Sequence, residues 1–394
     1  MSVRLLVAAV LATLALASPA HALPDCSPLP EKRTLLTGQG QLESIISDAR
    51  GRIFYSDIQN GGRLFRLDAP GAEPKQLVQG INGTGGLAWD TDGSLVLGFN
   101  GGNQNAVADG TAGGLLHVNP ETGETAPLAS GMGMANGIVR GPDGAFYASN
   151  DFAGGIDRVK DGKVEDDWSK VQTPNGLVID TAGRYLYAAQ TFKPASVARI
   201  DLSNPAKEEP YYEATAPDLQ GGPDGMTRDD RDRLFVAVNA SGEVWRIDTD
   251  RTACRLASGI MNASAVNWGG GAPGFPARNL YVVGFSGVLV ELADATDRPP
   301  PAGPPAAKPP RLRLAVEPKR VAAGSSTRWR FAVTAGGRAM PGATVRFAGR
   351  RATTNADGRA ELTVRIARAG LRKASAALAG YPSARKTVRL LPRR

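Results

Sequence analysis

A short apolar segment recurs six times between residues 53 and 284, and no other feature restricts the possible folds of this chain as strongly. Successive copies begin 42, 51, 40, 48 and 46 residues apart. The copies are IFYSD at Ile53, LVLGF at Leu95, FYASN at Phe146, LYAAQ at Leu186, LFVAV at Leu234 and LYVVG at Leu280. A period near 45 residues with several short strands per unit is typical of a β-propeller with four-stranded blades. The sequence therefore predicts an all-β fold, a six-bladed β-propeller over residues 23–296.

The segments around these copies indicate how the ring closes. The motif RTLLTG at Arg33 is similar to the outer-strand motifs KQLVQG at Lys75 and CRLASG at Cys254, although it precedes the first blade. We expect this N-terminal strand to join the last blade, which would remove an exposed sheet edge. Cys26 and Cys254 would then lie near neighbouring outer strands and could form a disulfide, or remain as two free thiols.

Proline and charge divide the chain near residue 300. Residues 299–310 read PPPAGPPAAKPP, which predicts a semi-rigid linker at 297–310. Residues 311–394 hold 20 Lys and Arg but only three acidic residues, whereas the rest of the chain has a net charge of −9. Short alternating apolar and polar runs predict a small β-sandwich there. The stretch PGATVRFAGRRATTNADGRAELTV resembles bacterial Ig-like and carboxypeptidase-regulatory-like domains, which implies the same fold.

The first 22 residues have the pattern of an export signal. Arg4 is followed by an apolar run too short to span a bilayer, and Ala20-His21-Ala22 is a typical cleavage site. We therefore expect a secreted or envelope-associated protein with cleavage near Ala22 and no transmembrane span in the mature chain. Such a chain keeps only His117, which leaves too little histidine for a histidine-rich zinc site. Export and the lack of a recognition motif also argue against nucleic acid as a partner.

Polar residues interrupt the apolar inner strands at equivalent positions of four blades. They are Glu43, Asn136, Asn175 and Asp224. Blades 2 and 6 have Gly85-Gly86-Leu87 and Ala263-Ser264-Ala265 there instead. Inner strands surround the propeller axis, so the four side chains should converge on one oxygen-only site. Such a ligand set favours Ca²⁺, with Mg²⁺ and Zn²⁺ as alternatives.

Other polar residues lie at strand ends. Asn100, Gln190 and Asn239 lie at the ends of second strands and are candidate substrate contacts at the channel mouth. Asp57 and Asp151 also lie at strand ends, and we interpret both as turn residues and not as ligands. His117 lies inside a third strand, where we expect a packed or edge position.

The propeller resembles the SMP-30/gluconolactonase/LRE family of six-bladed propellers. The resemblance rests on LESIISDARGRIFYSDI, ANGIVRGPDGAFYASND, TPNGLVIDTAGRYLYAA and GGPDGMTRDDRDRLFVAV. It implies that Glu43, Asn136, Asn175 and Asp224 bind a metal and that Asp224 is also catalytic. The chain departs from the family at Ser44-Ile45, where Gly-Pro is usual, and at Asn136-Gly137, where Asn-Asp is frequent. Residues 98–114 lack the Arg-bearing substrate loop expected of sugar-lactone enzymes.

The ligand set and the resemblance together predict metal-dependent hydrolysis of a lactone or ester. The ion would stabilise the developing oxyanion, and Asp224 would activate water. Two alternatives remain open. The ion could only fasten the blades of a non-catalytic binding module, or the chain could be a metal-free propeller that resembles strictosidine synthase. For the basic C-terminal domain we expect an anionic cell-envelope polymer as partner, unless its charge is only compositional.

Overall fold

The computed structural model describes residues 22–59, 61–300, 311–335, 338–378 and 381–392, and its regular structure is almost entirely β. The predicted export signal therefore lies outside the described residues except for Ala22. The predicted linker is described only as far as residue 300.

Residues 31–293 of the described chain form six four-stranded antiparallel sheets. The first is β2 (Leu42–Ser47), β3 (Ile53–Asp57), β4 (Arg63–Leu67) and β5 (Lys75–Gln79). The second is β6 (Thr84–Trp89), β7 (Leu95–Phe99), β8 (Gly113–Val118) and β9 (Thr125–Met132). The third is β10 (Ile138–Arg140), β11 (Phe146–Ser149), β12 (Ile156–Lys160) and β13 (Lys163–Ser169).

The remaining sheets follow the same order. The fourth is β14 (Pro174–Ile179), β15 (Tyr185–Gln190), β16 (Ser196–Asp201) and β17 (Asn204–Glu213). The fifth is β18 (Pro223–Arg228), β19 (Leu234–Val238), β20 (Glu243–Ile247) and β21 (Ala253–Ala257). The sixth is β22 (Ala263–Trp268), β23 (Leu280–Gly284), β24 (Val288–Ala293) and the N-terminal β1 (Glu31–Leu36). The recurring apolar segments are the second strands β3, β7, β11, β15, β19 and β23, as predicted.

The sheets form a closed ring, which is the arrangement of a β-propeller. The first strand of each sheet contacts the first strand of the next, and β22 contacts β2. The outermost strand β1 pairs with β24, from Glu31 opposite Ala293 to Leu36 opposite Leu289. The prediction that an N-terminal strand completes the last sheet is therefore confirmed.

The apolar core of the ring lies between neighbouring sheets. Each of six buried clusters combines residues of two adjacent sheets. Phe54 of the first sheet meets Trp89 of the second edge to face at 5.4 Å, and Phe235 of the fifth sheet meets Trp268 of the sixth at 4.8 Å. Sheets are buried on both faces in this arrangement, which explains why the second strands are continuously apolar.

Two short helical segments accompany the strands: α1 (Asn103–Val107) and a 3₁₀ turn (Asp218–Gln220). Neither they nor any other helix in the described part of the chain has the length and apolarity needed to cross a membrane. His117 lies on β8 as predicted, with its Nε2 atom 3.2 Å from Oδ2 of Asp90.

Cys26 and Cys254 form a disulfide. The N–H of Cys26 also donates to the carbonyl of Arg255 at 2.9 Å, and Asp25 forms an ion pair with the Arg255 side chain at 2.7 Å. The segment before β1 is thus fastened to the outer strand β21 of the fifth sheet, as the sequence allowed.

The described residues after 311 form two further sheets. One contains β25 (Arg313–Glu317), β27 (Ser326–Ala335), β28 (Arg338–Ala339) and β31 (Arg359–Arg365). The other, in the order β26-β33-β32-β29-β30, contains β26 (Arg320–Ala322), β29 (Thr344–Phe347), β30 (Arg350–Thr353), β32 (Gly370–Leu378) and β33 (Tyr381–Leu391).

These two sheets share a single core. Trp329 and Phe331 of β27 pack near Phe347 of β29, with ring centroids 4.8 and 5.7 Å apart. The cluster is built only from residues between Leu312 and Val388. This region therefore has its own apolar interior.

Candidate functional site

A cavity of about 1150 Å³ opens at one end of the ring. Its inner wall comes from residues in or next to the first strands of the sheets, including Glu43, Thr84, Asn136, Asn175 and Asp224, and loops after the second strands line its mouth. Because the first strands surround the axis of the ring, the cavity lies on that axis. The four residues predicted to bind a metal all line it.

Three carboxylates face this cavity from three different sheets. Glu43 lies on β2 and Asp224 lies on β18. Asp151 comes two residues after the end of β11, with Asn150 between them. All three are buried: Glu43 is 8% exposed, and Asp151 and Asp224 are each 4% exposed. Asp151 lies in a turn, as the sequence interpretation expected, and its side chain lines the cavity as well, which that interpretation did not include.

Amide side chains donate hydrogen bonds to two of the three carboxylates, Asp151 and Asp224. Nδ2 of Asn136 donates to Oδ1 of Asp151 at 3.0 Å, and Nδ2 of Asn175 donates to Oδ2 of Asp151 at 3.4 Å. Nδ2 of Asn239 donates to Oδ2 of Asp224 at 3.0 Å. Since their nitrogens are engaged in this way, the amide oxygens of Asn136 and Asn175 are the atoms left to act as acceptors or ligands.

The electrostatics of the three carboxyl groups favour their neutral forms. Burial, and then the charge of Asp151, raise the pKa of Glu43 to about 8. Burial, followed by the charges of Glu43 and Asp151, raises the pKa of Asp224 well above its ordinary value. Burial also raises the pKa of Asp151, against the opposing effect of its hydrogen bonds from Asn136 and Asn175. No described Lys or Arg offsets these charges.

Close approach of the inner strands explains why glycine follows three of these polar residues. A β-carbon added at Gly137 would lie 2.1 Å from the Asn175 carbonyl oxygen, and one at Gly176 would lie 2.5 Å from the Met226 nitrogen. Neither distance is compatible with a side chain. The motifs Asn136-Gly137, Asn175-Gly176 and Asp224-Gly225 therefore combine a polar group at the cavity with a strand contact beside it.

The donor set is suited to a hard divalent cation. Buried carboxylates that repel one another, with amide oxygens beside them, are typical ligands of Ca²⁺ and Mg²⁺. Among the described residues, no three side chains of His, Cys, Asp or Glu are placed to hold a metal ion by themselves. A cation at this position would therefore also need the oxygens of Asn136 and Asn175.

The three candidate substrate residues have different surroundings. Asn100 and Asn239 line the cavity. Gln190 does not: its Nε2 donates to the Gln172 carbonyl at 2.9 Å, and its Oε1 accepts from Ser196 at 3.0 Å. The expectation of substrate contact is therefore wrong for Gln190, which holds strands of the fourth sheet together.

Asp57 supports the fold, as its interpretation as a turn residue predicted. Its Oδ1 accepts from the N–H groups of Gln41 and Gln59 at 3.0 and 2.9 Å, and its Oδ2 forms an ion pair with Arg63. Asp57 ends β3 and Asp151 comes two residues after the equivalent strand β11, yet only Asp57 has a cationic partner among the described residues. The sequence shows this difference: six positions after Asp57 stands the basic residue Arg63, whereas six positions after Asp151 stands the acidic Asp157.

One wall of the cavity mouth is apolar. Phe152 and Phe192 are 47% and 61% exposed, and their rings stack with centroids 5.7 Å apart and planes inclined by 16°. Both lie in loops after second strands, and both line the cavity together with Ile58 and Phe285. Lys193 carries the only positive charge among the described lining residues. Nothing in the sequence pattern identified this aromatic pair.

Comparison with solved structures shows the same fold in proteins of low sequence similarity. The calcium-binding protein regucalcin from Agrobacterium tumefaciens is 18% identical, with a TM-score of 0.56 over 71% of this chain and 97% of that one. A gluconolactonase from Xanthomonas campestris is 17% identical, with a TM-score of 0.55 over 70% and 99% of the two chains. A luciferin-regenerating enzyme is 15% identical, with a TM-score of 0.55 over 70% and 99%.

A search of curated proteins finds no match to the sequence. The model of the SMP-30/gluconolactonase/LRE-like family matches residues 42–283, which contain all six inner strands and the three carboxylates and two asparagines at the centre of the cavity. The match thus covers the region in which the ring and its axial cavity are built, and the chain belongs to the SMP-30/gluconolactonase/LRE-like family.

Proposed function

We propose that this protein is a hydrolase of lactones or related esters that depends on a divalent cation in the axial cavity. The observation that carries the proposal is the set of three buried carboxylates that line one cavity without a described cationic partner, one of which, Asp151, accepts from the amides of Asn136 and Asn175. Burying several charges of one sign is costly unless a counter-charge is present. Membership of a family with lactonases among its structural relatives supports the same activity.

Glu43, Asn136, Asn175 and Asp224 would hold the cation, and Asp151 would orient the two amides through its hydrogen bonds. A bound Ca²⁺ would polarise the substrate carbonyl and stabilise the negative charge that develops on its oxygen. Ca²⁺ fits these ligands better than Mg²⁺ or Zn²⁺, because they are all oxygens and come from separate sheets, and Ca²⁺ accepts oxygen ligands in a flexible geometry.

Asp224 is the proposed general base. Its carboxylate accepts a hydrogen bond from Asn239, which fixes its orientation at the cavity. It would take a proton from water as the water oxygen bonds to the carbonyl carbon. The bond from that carbon to the ring oxygen then breaks, and the proton passes to the leaving oxygen to give a hydroxy acid. General base catalysis of this kind contributes roughly 10²–10⁴-fold to the rate.

The lining of the cavity indicates the kind of substrate. The stacked pair Phe152 and Phe192 offers an apolar surface at the mouth, while Asn82, Asn100 and Asn103 offer amides on another part of the wall. No arginine lines the cavity among the described residues. We infer a lactone or ester with an aromatic or apolar arm that lies against the two rings.

The proposal is tested with the full chain against a panel of aryl, alkyl and sugar lactones. Chelation should abolish hydrolysis and Ca²⁺ should restore it. Asp224→Asn should reduce kcat by roughly 10²–10⁴-fold, whereas Asp157→Asn, which alters a carboxylate outside the cavity, should leave kcat unchanged. Turnover that ignores the chelator would favour a metal-free propeller. A Ca²⁺-dependent melting temperature without any turnover would favour a binding module.

We also propose that the protein is exported. The disulfide between Cys26 and Cys254 supports this, because disulfides persist mainly in oxidising compartments. Cell fractionation and the N-terminal sequence of the purified protein test it, with a mature N-terminus near Leu23 as the expected result. A chain that keeps residues 1–22 in the cytoplasm would contradict export.

A further inference from the structure

The five-stranded sheet of the C-terminal region has an outward face crowded with cations. Buried and exposed residues alternate along its strands. On β32, Ala374 and Ala376 point into the core, and Lys373, the residue before Ala374, points outward. The basic residues that this alternation places on the outward face are Arg320, Arg346, Arg351, Lys373, Arg385 and Arg389, which we call the cationic face. All six are exposed, and none of the described outward residues of this sheet is acidic.

Strand register places these cations next to one another. Arg346 pairs directly with Arg351, and Arg320 pairs directly with Arg389. Ser375 of β32 lies between Arg346 and Arg385, so a row of positive charge crosses four strands. Like charges opposite each other on neighbouring strands destabilise a sheet. No described acidic side chain forms an ion pair with any member of the cationic face.

The other sheet of the same region does not share this property. Its outward residue Glu361 pairs with Arg328 and with Arg330, the latter at 3.4 Å. Glu317 lies on the same sheet and is opposite Arg330 in register. Acidic residues therefore accompany the cations on the outward face of this sheet, whereas the described outward residues of the five-stranded sheet include none.

The cationic face also carries exposed apolar side chains. Leu371 and Leu391 are 64% and 42% exposed, and both point outward. Leu371 is paired with Arg389. Leucine beside arginine on a surface is typical of protein segments that rest on lipid headgroups and insert apolar groups below them. No aromatic ring lies on the described part of this face to stack on sugars or bases.

From these observations we propose that the cationic face binds the surface of a bilayer that contains anionic phospholipids. Neighbouring strands lie about 4.8 Å apart, so the five strands present a surface roughly 20 Å wide. Arginines and a lysine spread over such a surface can meet several phosphate groups at once. Leu371 and Leu391 would enter the boundary between headgroups and acyl chains.

Co-sedimentation of the full chain with vesicles tests this proposal. Binding is expected to vesicles that contain phosphatidylglycerol, to be absent with phosphatidylcholine alone, and to weaken steeply as salt is added. Changing Arg346, Lys373 and Arg385 together to Gln should weaken binding about 100-fold, given the usual contribution of each cation. Changing Arg313, Arg359 and Arg365 to Gln removes the same charge from the other sheet and should weaken it less than 10-fold.

A further variant separates a lipid surface from a soluble polyanion. Leu371→Ser should weaken vesicle binding but leave binding to the acidic polysaccharide alginate unchanged. Alginate binding without vesicle binding would overturn the proposal in favour of a polysaccharide partner. Equal losses for the two triple variants would overturn it as well, because net charge alone would then explain the binding. Circular dichroism of each variant verifies that the sandwich is still folded.

Discussion

At the scale of single residues, the buried carboxyl groups of the axial cavity lower the stability of the folded chain when no cation is bound. Glu43, Asp151 and Asp224 are buried together, and the pKa values of all three are raised. A group with a raised acid pKa destabilises the folded state once the pH is high enough to ionise it. Binding a cation would offset this cost, so the proposed function would require groups that lower the stability of the metal-free protein.

Glu43→Gln should therefore stabilise the metal-free protein and remove its response to Ca²⁺. Gln keeps the size of the side chain but has no charge to bury or to repel Asp151 and Asp224. We expect the Tm of the metal-free variant to rise by about 2–4 °C, which corresponds to about 1 kcal/mol, with a larger gain above pH 8 than below it. Differential scanning calorimetry with and without Ca²⁺ measures both effects. A variant that still gains stability from Ca²⁺ as strongly as the wild type would show that Glu43 is not a ligand.

Asp157 provides a second titration effect outside the cavity. Burial, and then the charges of Asp166, Asp109 and Asp167, raise its pKa to about 7 from an ordinary 3.8, against a hydrogen bond from the N–H of Asp167. Between these two values the folded chain holds a proton that the unfolded chain releases, so this residue makes stability fall as the pH rises from about 4 to about 7. Asp157→Asn should remove that slope and raise Tm above pH 7 by about 2–4 °C. Equal Tm values for variant and wild type above pH 7 would contradict the effect.

Part of the site could be predicted because polar residues are rare on the inner strands. Glu43, Asn136, Asn175 and Asp224 stand out from an apolar pattern, and the structure places all four around the cavity. Asp151 could not be separated from Asp57 in this way, since both follow a second strand. The cationic partner of Asp57, Arg63, is close in sequence, but Asn136 and Asn175 reach Asp151 from other parts of the chain, and one sequence does not reveal such contacts.

At the scale of strands, the repeat predicted the β elements well because each second strand is buried on both faces and is therefore continuously apolar. The predicted copies coincide with β3, β7 and β23 to within a residue at each end. Side chains after the second strands were harder to place. Gln190 and Asn239 occupy similar positions, but Gln190 bonds within its own sheet and Asn239 bonds to Asp224.

Gly176→Ala tests how tightly the inner strands pack beside the site. The added methyl group would lie 2.5 Å from the Met226 nitrogen and 2.6 Å from the Asp224 carbonyl oxygen, so β14 and β18 would have to separate. We expect a loss of about 1–3 kcal/mol in the free energy of unfolding, together with weaker Ca²⁺ binding because Asp224 moves.

Gly269→Ala is the matched control, since its methyl group would meet the Pro276 carbonyl oxygen at 2.2 Å after β22. It should lower stability without changing Ca²⁺ affinity. Urea unfolding and calorimetric titration measure the two quantities. Unchanged stability and affinity in Gly176→Ala would show that the inner strands can spread at no cost.

The disulfide between Cys26 and Cys254 should stabilise the fold by holding the N-terminal segment that leads into β1. It joins residues separated by 228 positions and fastens the chain before β1 to β21. Replacing both Cys26 and Cys254 with Ser should lower the free energy of unfolding by about 2–5 kcal/mol, mainly because the unfolded chain gains freedom. Reducing agent should shift urea unfolding of the wild type by a similar amount and leave the double variant unaffected. A shift of equal size in both proteins would mean that the reductant acts elsewhere.

At the scale of the whole molecule, the chain combines an acidic ring with a basic sandwich. Residues 311–394 carry a net charge of +17, against −9 for the remainder. The cavity is lined by residues between Gln41 and Phe285, and the sandwich core uses only residues after 311. Composition and repeats predicted this division, because proline content, charge and strand spacing all change near residue 300. They could not show on which face of the sandwich the cations gather, since that depends on strand register.

Because the two parts have separate interiors, a chain that ends at residue 300 should keep its proposed activity. We expect its kcat/KM for the best lactone of the panel to stay within about two-fold of the full chain, since no lining residue is removed. Its binding to anionic vesicles should be lost at the same time. A chain that ends at Trp268 serves as the contrast: it lacks β23 and β24, leaves β1 without its partner and opens the ring, so it should not fold. Loss of lactone hydrolysis in the chain that ends at residue 300, with its β-structure intact by circular dichroism, would show that the basic region contributes to catalysis and that the two parts do not act separately.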